Sequence, residues 1–235
     1  VAKKLSDIES IVTSQNELFW DFLEKTLAND VFDFLNSLRQ QTEVYLFSGV
    51  IRNYFLKNYS IRDLDLVIKS ESNLQELFSK YEHRRNSFGG YKFSIGDLEI
   101  DLWSIDKTWA FKNHQMILGF ELDKYMPLTA FFNFSSIIYS TNEKKFIYSK
   151  YFLTFLRDRE IDVVYEPNAN YQLCVVNSFY YADRYKLKIS DNLKKLIIRL
   201  YHREPKDYQE IQKKHFGQIL YSNIELERRI ESILI

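Results

Sequence analysis

The sequence predicts an α+β fold: a small mixed β-sheet with flanking helices, followed by a mainly helical C-terminal region. Three observations carry that expectation. Only 6 glycines and 3 prolines occur among 235 residues, too few for the turns of a loop-rich β-sandwich. Apolar residues recur at helical spacing over the first forty residues and again beyond Asn170. Between these regions lie short segments that alternate apolar and polar side chains, the period of a strand with one buried face.

The elements follow in order. Ile8, Ile11, Leu18, Phe19, Phe22 and Leu23, then Val31, Phe32, Phe34, Leu35 and Leu38, predict helices buried along one stripe. Val44 to Phe47 is a short apolar run that fits a buried strand, Gly49 marks a sharp change of direction, and Val50 to Leu56 resumes a helical pattern. In the stretch 63–68, Leu64, Leu66 and Ile68 take one face of a strand while Asp63 and Asp65 take the other. Leu74, Leu77 and Phe78 predict another helix. Tyr91 to Ile95 and Leu98 to Trp103 flank Gly96-Asp97, a hairpin-turn pair. Phe134 to Tyr139 and Phe146 to Tyr148 fit either one more strand pair or a strand-to-helix passage, and Pro167 ends an extended piece. The expected division is a mixed head over residues 1–125 and a neck with a helical region over 126–235.

Charge and composition narrow the class. Lysine plus arginine (32) balances aspartate plus glutamate (32), so no global field draws the chain to nucleic acid or membrane. The balance is uneven along the sequence: Arg184 to Arg229 carries 12 basic side chains against 6 acidic ones. A basic tail on an acidic body points to a polyanionic partner, although solvated helix faces account for such runs as well. Cys174 is the only cysteine, which excludes an internal disulfide and a cysteine-based zinc site. His83, His114, His202 and His215 have no metal-ligand spacing. No apolar run approaches a membrane span, and the lysine-led start lacks the apolar core of a signal peptide. A cytoplasmic protein with no membrane partner is expected.

Three segments carry chemistry when taken together. Phe47-Ser48-Gly49-Val50-Ile51-Arg52 runs from strand through a small-residue turn into a helix, leaving backbone N–H groups, the Ser48 hydroxyl and Arg52 available to an anion. In Asp63-Leu64-Asp65 two carboxylates point the same way and repel each other; taken alone the pair reads first as the polar face of an exposed edge strand, and otherwise as ligands for magnesium with substrate phosphates. Leu98-Glu99-Ile100-Asp101-Leu102 repeats the alternation and offers a third acid, which would complete a cage for two metal ions. The shorter Asp101 holds a metal more rigidly than Glu99, yet either residue satisfies the pattern. Trp103 and Trp109 follow closely; core packing is their first reading and base stacking the other. Phe88-Gly89-Gly90 reads as a hairpin connection. Lys194, Lys195, Arg199 and Arg203 read as a solvated helix face before they read as an RNA contact.

This succession of strand, Ser-Gly turn, helix, acidic pair and later acid resembles the nucleotidyltransferase superfamily that includes DNA polymerase β, poly(A) polymerases and tRNA CCA-adding enzymes. The bacterial poly(A) polymerase and CCA-adding head is the nearest likeness. Its Gly-Gly-x-Val-Arg-Asp and Asp-x-Asp motifs correspond to Ser48-Gly49-Val50-Ile51-Arg52-Asn53 and Asp63-Leu64-Asp65. Phe132 to Tyr139 and Tyr180 to Tyr185 resemble two further family stretches. Two motifs depart: Thr129-Ala130-Phe131 replaces Arg-Arg-Asp, and the base-selecting Glu-Asp-x-x-Arg falls at Asn170, Tyr171 and Cys174. The resemblance implies that Asp63, Asp65 and Asp101 hold two Mg2+ ions while Ser48, Gly49 and Arg52 position the triphosphate of an NTP. It further implies transfer of NMP to an acceptor hydroxyl with release of pyrophosphate. An RNA 3′ end, tRNA among them, ranks first as acceptor. Other branches modify a protein or a small molecule, some as toxins or defence proteins with a cognate inhibitor. A head that binds RNA or a protein partner without turnover is the alternative class.

Overall fold

A computed structural model describes residues 4–47, 49–86, 89–114, 122–167, 170–203 and 206–234. The chain divides into two compact units, one of residues 1–130 and 134–157, the other of 131–133 and 158–235. The first unit opens with three helices, α1 (Leu5–Ser14), α2 (Asn16–Thr26) and α3 (Asn29–Arg39). Strand β1 (Val44–Phe47), helix α4 (Gly49–Phe55), strand β2 (Asp63–Ile68) and the short helix α5 (Gln75–Phe78) follow. Three strands come next, β3 (His83–Arg85), β4 (Tyr91–Ile95) and β5 (Leu98–Ser104). The short helices α6 (Trp109–His114) and α7 (Leu122–Tyr125), strands β6 (Ile137–Ser140) and β7 (Lys145–Tyr148), and helix α8 (Lys150–Asp158) complete this part.

Its seven strands form one mixed sheet in the order β3-β4-β5-β2-β1-β6-β7. β2 and β5 are parallel neighbours; every other neighbouring pair is antiparallel. Gly96, with φ of 56°, makes the β4–β5 turn, a conformation that glycine adopts without a Cβ penalty. Residues 137–148 form a strand pair, the first of the two alternatives their sequence allows, and β6 joins the sheet beside β1.

Direct cross-strand partners share a face, so the registers sort every strand residue. Leu46, Leu64, Leu66, Phe93, Ile100, Leu102 and Tyr139 fall on one face and are buried or nearly so. The N-terminal helices cover that face. Phe34 of α3 packs against Phe93 with ring centroids 4.9 Å apart, and Phe19 of α2 meets Tyr139 at 4.8 Å and Phe146 at 5.1 Å. The helical stripe read from the sequence is the one that docks here, with Val31, Phe34, Leu35 and Leu38 all buried.

The opposite face is covered over part of its width. Tyr45, Val67, Ile105, Met126 and Ile138 form a small apolar cluster there, with Phe47, Phe111 and Ile147 against it. The rest of that face carries Arg84, Lys92, Asp101, Asp65, Glu99 and Asp63. Strand β3 escapes a pattern-based reading because His83, Arg84 and Arg85 are all exposed and lack apolar alternation.

The second unit is mainly helical. It contains the short parallel pair β8 (Glu160–Ile161) and β9 (Lys188–Ile189), helix α9 (Tyr171–Tyr185), and helices α10 (Asp191–Tyr201), α11 (Tyr208–Phe216) and α12 (Asn223–Leu234). Ser190 caps α10, its Oγ accepting the Leu193 N–H at 3.0 Å. Buried Gln212 makes four hydrogen bonds, one within α11 and three that tie it to the following turn. Its Nε2 donates to the Tyr208 and Tyr221 carbonyls at 3.0 Å, and its Oε1 accepts from the Leu220 and Tyr221 N–H groups at 3.0 and 2.9 Å. Cys174 is buried with its thiol pushed up to about 12 by desolvation, which makes it an inert packing residue. Among the described residues no helix is long and apolar enough to cross a membrane.

Candidate active site

The parallel β2–β5 register sets Asp65 directly opposite Asp101 and Asp63 directly opposite Glu99. All four therefore lie on the partly covered face, one row apart. Asp65 is half-buried, and among the described residues it makes no hydrogen bond and no ion pair. Burial, followed by the charges of Asp63 and Asp101, pushes its carboxyl up to about 7 against the opposing pull of Arg52 and Arg62. Two other carboxylates crowd it, and among the described residues it has no donor of its own.

The neighbouring acids are differently occupied. Asp63 accepts from Arg62 Nη2 at 2.6 Å and from its Nε at 3.1 Å. Lys92 Nζ lies 3.7 Å from Asp101 and 3.4 Å from Glu99. Ser94 donates to Glu99 at 2.6 Å, and this bond leads the causes that hold the Glu99 carboxyl below the usual range. With Asp63 turned to Arg62 and Asp101 beside Lys92, no group of three acidic, histidine or cysteine side chains among the described residues is gathered tightly enough to hold a metal.

The donor set nevertheless suits a hard divalent cation: three carboxylates on adjacent strand positions, one of them unpartnered. Of the two candidates for the third acid, Asp101 faces Asp65 directly, whereas Glu99 faces Asp63 and accepts from Ser94.

The Ser-Gly turn approaches the same place. A Cβ placed on Gly49 would lie 3.9 Å from Arg52 Nη2 and 3.9 Å from Asp63 Oδ1, so the start of α4, Arg52 and the first acid converge. Arg52 donates to Asn53 Oδ1 at 3.2 and 3.3 Å and lies over the Phe134 ring at 5.4 Å. Ser48, the remaining residue of the expected triphosphate site, lies outside the described residues.

Lys92 was not among the residues singled out from the sequence, although the Gly96-Asp97 turn was enough to find it. A hairpin closed at that turn pairs 95 with 98 and hence Lys92 with Asp101. The four cations that resemble an RNA-facing row meet different ends. Lys194 pairs with Asp191 at 2.9 Å, Arg199 pairs with Glu166 at 2.5 Å, and Arg203 lies over Tyr171 at 4.7 Å. Lys195 completes the row on α10.

The sequence matches no protein-family model and no curated protein. Its structure, however, is similar to solved ones. A CCA-adding enzyme in complex with ATP superposes with a TM-score of 0.66 at 13% identity, covering 91% of this chain and 54% of that one. A tRNA-processing enzyme with CTP gives a TM-score of 0.59 at 17% identity, over 83% and 56%. The Thermotoga maritima CCA-adding enzyme complexed with tRNA gives 0.61 at 14% identity, over 91% and 53%. This chain thus spans just over half the length of those proteins. At these identities what it shares with them is the fold.

Proposed function

We propose that this protein is a metal-dependent nucleotidyltransferase that moves NMP from an NTP to the terminal hydroxyl of an RNA 3′ end, tRNA first among candidates, with release of pyrophosphate. The observation that carries the reading is the row Asp65–Asp101 with Asp63 beside it, in which the Asp65 carboxyl has no hydrogen-bond or ion-pair partner among the described residues and is pushed up to about 7. The similar enzymes are solved in complex with ATP, CTP and tRNA, which supports NTP and RNA as the substrates to try first.

Each residue of this chain has a task in that reading. Asp63, Asp65 and Asp101 would hold two Mg2+ ions, which when bound supply Lewis-acid activation of the acceptor hydroxyl and charge neutralisation at the departing pyrophosphate. Asp65 gives up its proton to serve, so its elevated pKa makes readiness rise with pH through 7. Asp63 leaves Arg62 and Asp101 leaves Lys92, two exchanges of an exposed or half-exposed ion pair that cost little. Arg52, with Gly49 at the turn, binds the triphosphate and orients it for in-line attack at the α-phosphorus. Asn170, Tyr171 and Cys174, which stand where the resembled family carries its base-selecting Glu-Asp-x-x-Arg, are uncharged.

Incubation with each α-labelled NTP, magnesium and total RNA tests the proposal. Label enters RNA with the native chain and is lost in Asp63→Ala. Label in a protein or small molecule instead would redirect the acceptor, and no transfer to any of them would leave a binding module.

A further inference from the structure

The partly covered sheet face continues past the carboxylates to the open edge of the sheet. Following the registers outward, Asp65 faces Asp101, Asp101 faces Lys92, and Lys92 faces Arg84 on edge strand β3. At about 4.8 Å per strand, Arg84 stands roughly 10 Å from Asp101 along one straight row. Arg84 is exposed, and among the described residues it makes no hydrogen bond or ion pair. Its neighbour Arg85 has the opposite fate: it points to the other face, donates to the Gly89 carbonyl at 3.0 Å and lies over the Tyr91 ring at 3.8 Å.

Trp103 flanks this row, two positions beyond Asp101 on the same face. It is half-buried and, among the described residues, pairs with no other ring. Trp20 by contrast packs on Phe32 and lies under Arg39. Gly90 leaves room for the indole edge. A Cβ there would overlap Trp103 Cδ1 and sit 2.7 Å from the Leu102 carbonyl oxygen.

We propose that Arg84, Lys92 and Trp103 form the track for the acceptor: single-stranded RNA lies along this row, its last phosphodiesters on Arg84 and Lys92 and a base stacked on Trp103. The inference rests on the nucleotidyltransferase reading for its direction, since the 3′ hydroxyl must end at the carboxylates. Cations leading to an aromatic platform are the combination that binds single strands irrespective of sequence. Lys92 pairs with Glu99 at 3.4 Å and Asp101 at 3.7 Å, so a phosphate takes its ammonium in exchange for these partly exposed ion pairs.

Anisotropy of a fluorescein-labelled single-stranded RNA, without NTP, tests the track apart from the chemistry. Arg84→Glu is expected to weaken binding about tenfold, while Lys25→Glu, the same charge change on exposed α2, leaves it within twofold. Trp103→Leu should weaken binding about tenfold and Trp103→Phe less; should the leucine variant fail to fold, the phenylalanine variant and Arg84→Glu carry the test. In transfer assays Arg84→Glu should raise KM for RNA about tenfold and leave KM for NTP unchanged. Equal effects of Arg84→Glu and Lys25→Glu, or transfer to RNA with an unaltered acceptor KM, would overturn the track and leave the enzyme reading intact. Weakened RNA binding without any NMP transfer would support the track and sink the enzyme reading.

Discussion

Gln212 in the second unit is buried, Asp65 on the sheet is half-buried, and their surroundings are opposite. Gln212 satisfies two donors and two acceptors of the backbone. Its neighbours in the unit behave alike. Asp183 accepts from Tyr221 at 2.9 Å and pairs with Arg229 at 2.8 Å, and Asp162 accepts from Ser190 at 2.6 Å. Asp65 has crowding acids in place of donors. Polar groups that hold a fold together are saturated by it. A carboxylate repelled by its neighbours, with no partner among the described residues, lowers stability unless a ligand neutralises it.

The comparison breaks first at activity. Asp65→Ala or Asp101→Ala should lower NMP transfer about a thousandfold or more, roughly 4 kcal/mol of barrier, with the melting temperature held or raised. A variant that loses activity only because it unfolds would place Asp65 with the structural group. Gln212→Ala should do the reverse, costing about 2–4 kcal/mol in a denaturant titration by stranding buried backbone groups, with any transfer activity of the folded fraction intact.

A third difference is read in pH. The Asp65 carboxyl titrates near 7 in the folded chain and near the ordinary aspartate value when unfolded. Between about pH 4 and 7 the folded state therefore keeps a proton that the unfolded state has lost. This group's destabilising effect is absent below that window and grows as pH rises through it. Metal-free stability should fall by on the order of 2 kcal/mol from pH 4 to 8, allowing for partial exposure. Asp65→Asn should flatten that slope. The smallest effect belongs to Lys92→Ala, which should cost about 0.5 kcal/mol of stability and tighten magnesium binding a few-fold by removing a competing cation.

Much of this site is legible in the sequence because it is built from short-range rules. Alternation alone puts Asp63 and Asp65 on one face, and the Gly96-Asp97 turn alone pairs Lys92 with Asp101. The choice between Asp101 and Glu99 is not local. It depends on the parallel β2–β5 register, which joins segments some thirty residues apart and which no turn fixes. The pairing of Asp63 with Arg62 is a rotamer choice between exposed groups, invisible to any pattern. Arg84 is hidden for another reason: edge strand β3 buries nothing, so its sequence bears no hydrophobic period. The strand pair 137–148 remained ambiguous because β6 is buried on both faces and does not alternate.

The central claim is that three sheet acids are kept for a divalent cation, and metal binding tests it most directly. Mn2+ titrated calorimetrically into the native chain with a non-hydrolysable ATP analogue at pH 7.5 should bind saturably, more weakly at pH 6, and at least tenfold more weakly in Asp65→Asn. Equal binding by the native chain and Asp65→Asn, or binding by neither, would contradict it.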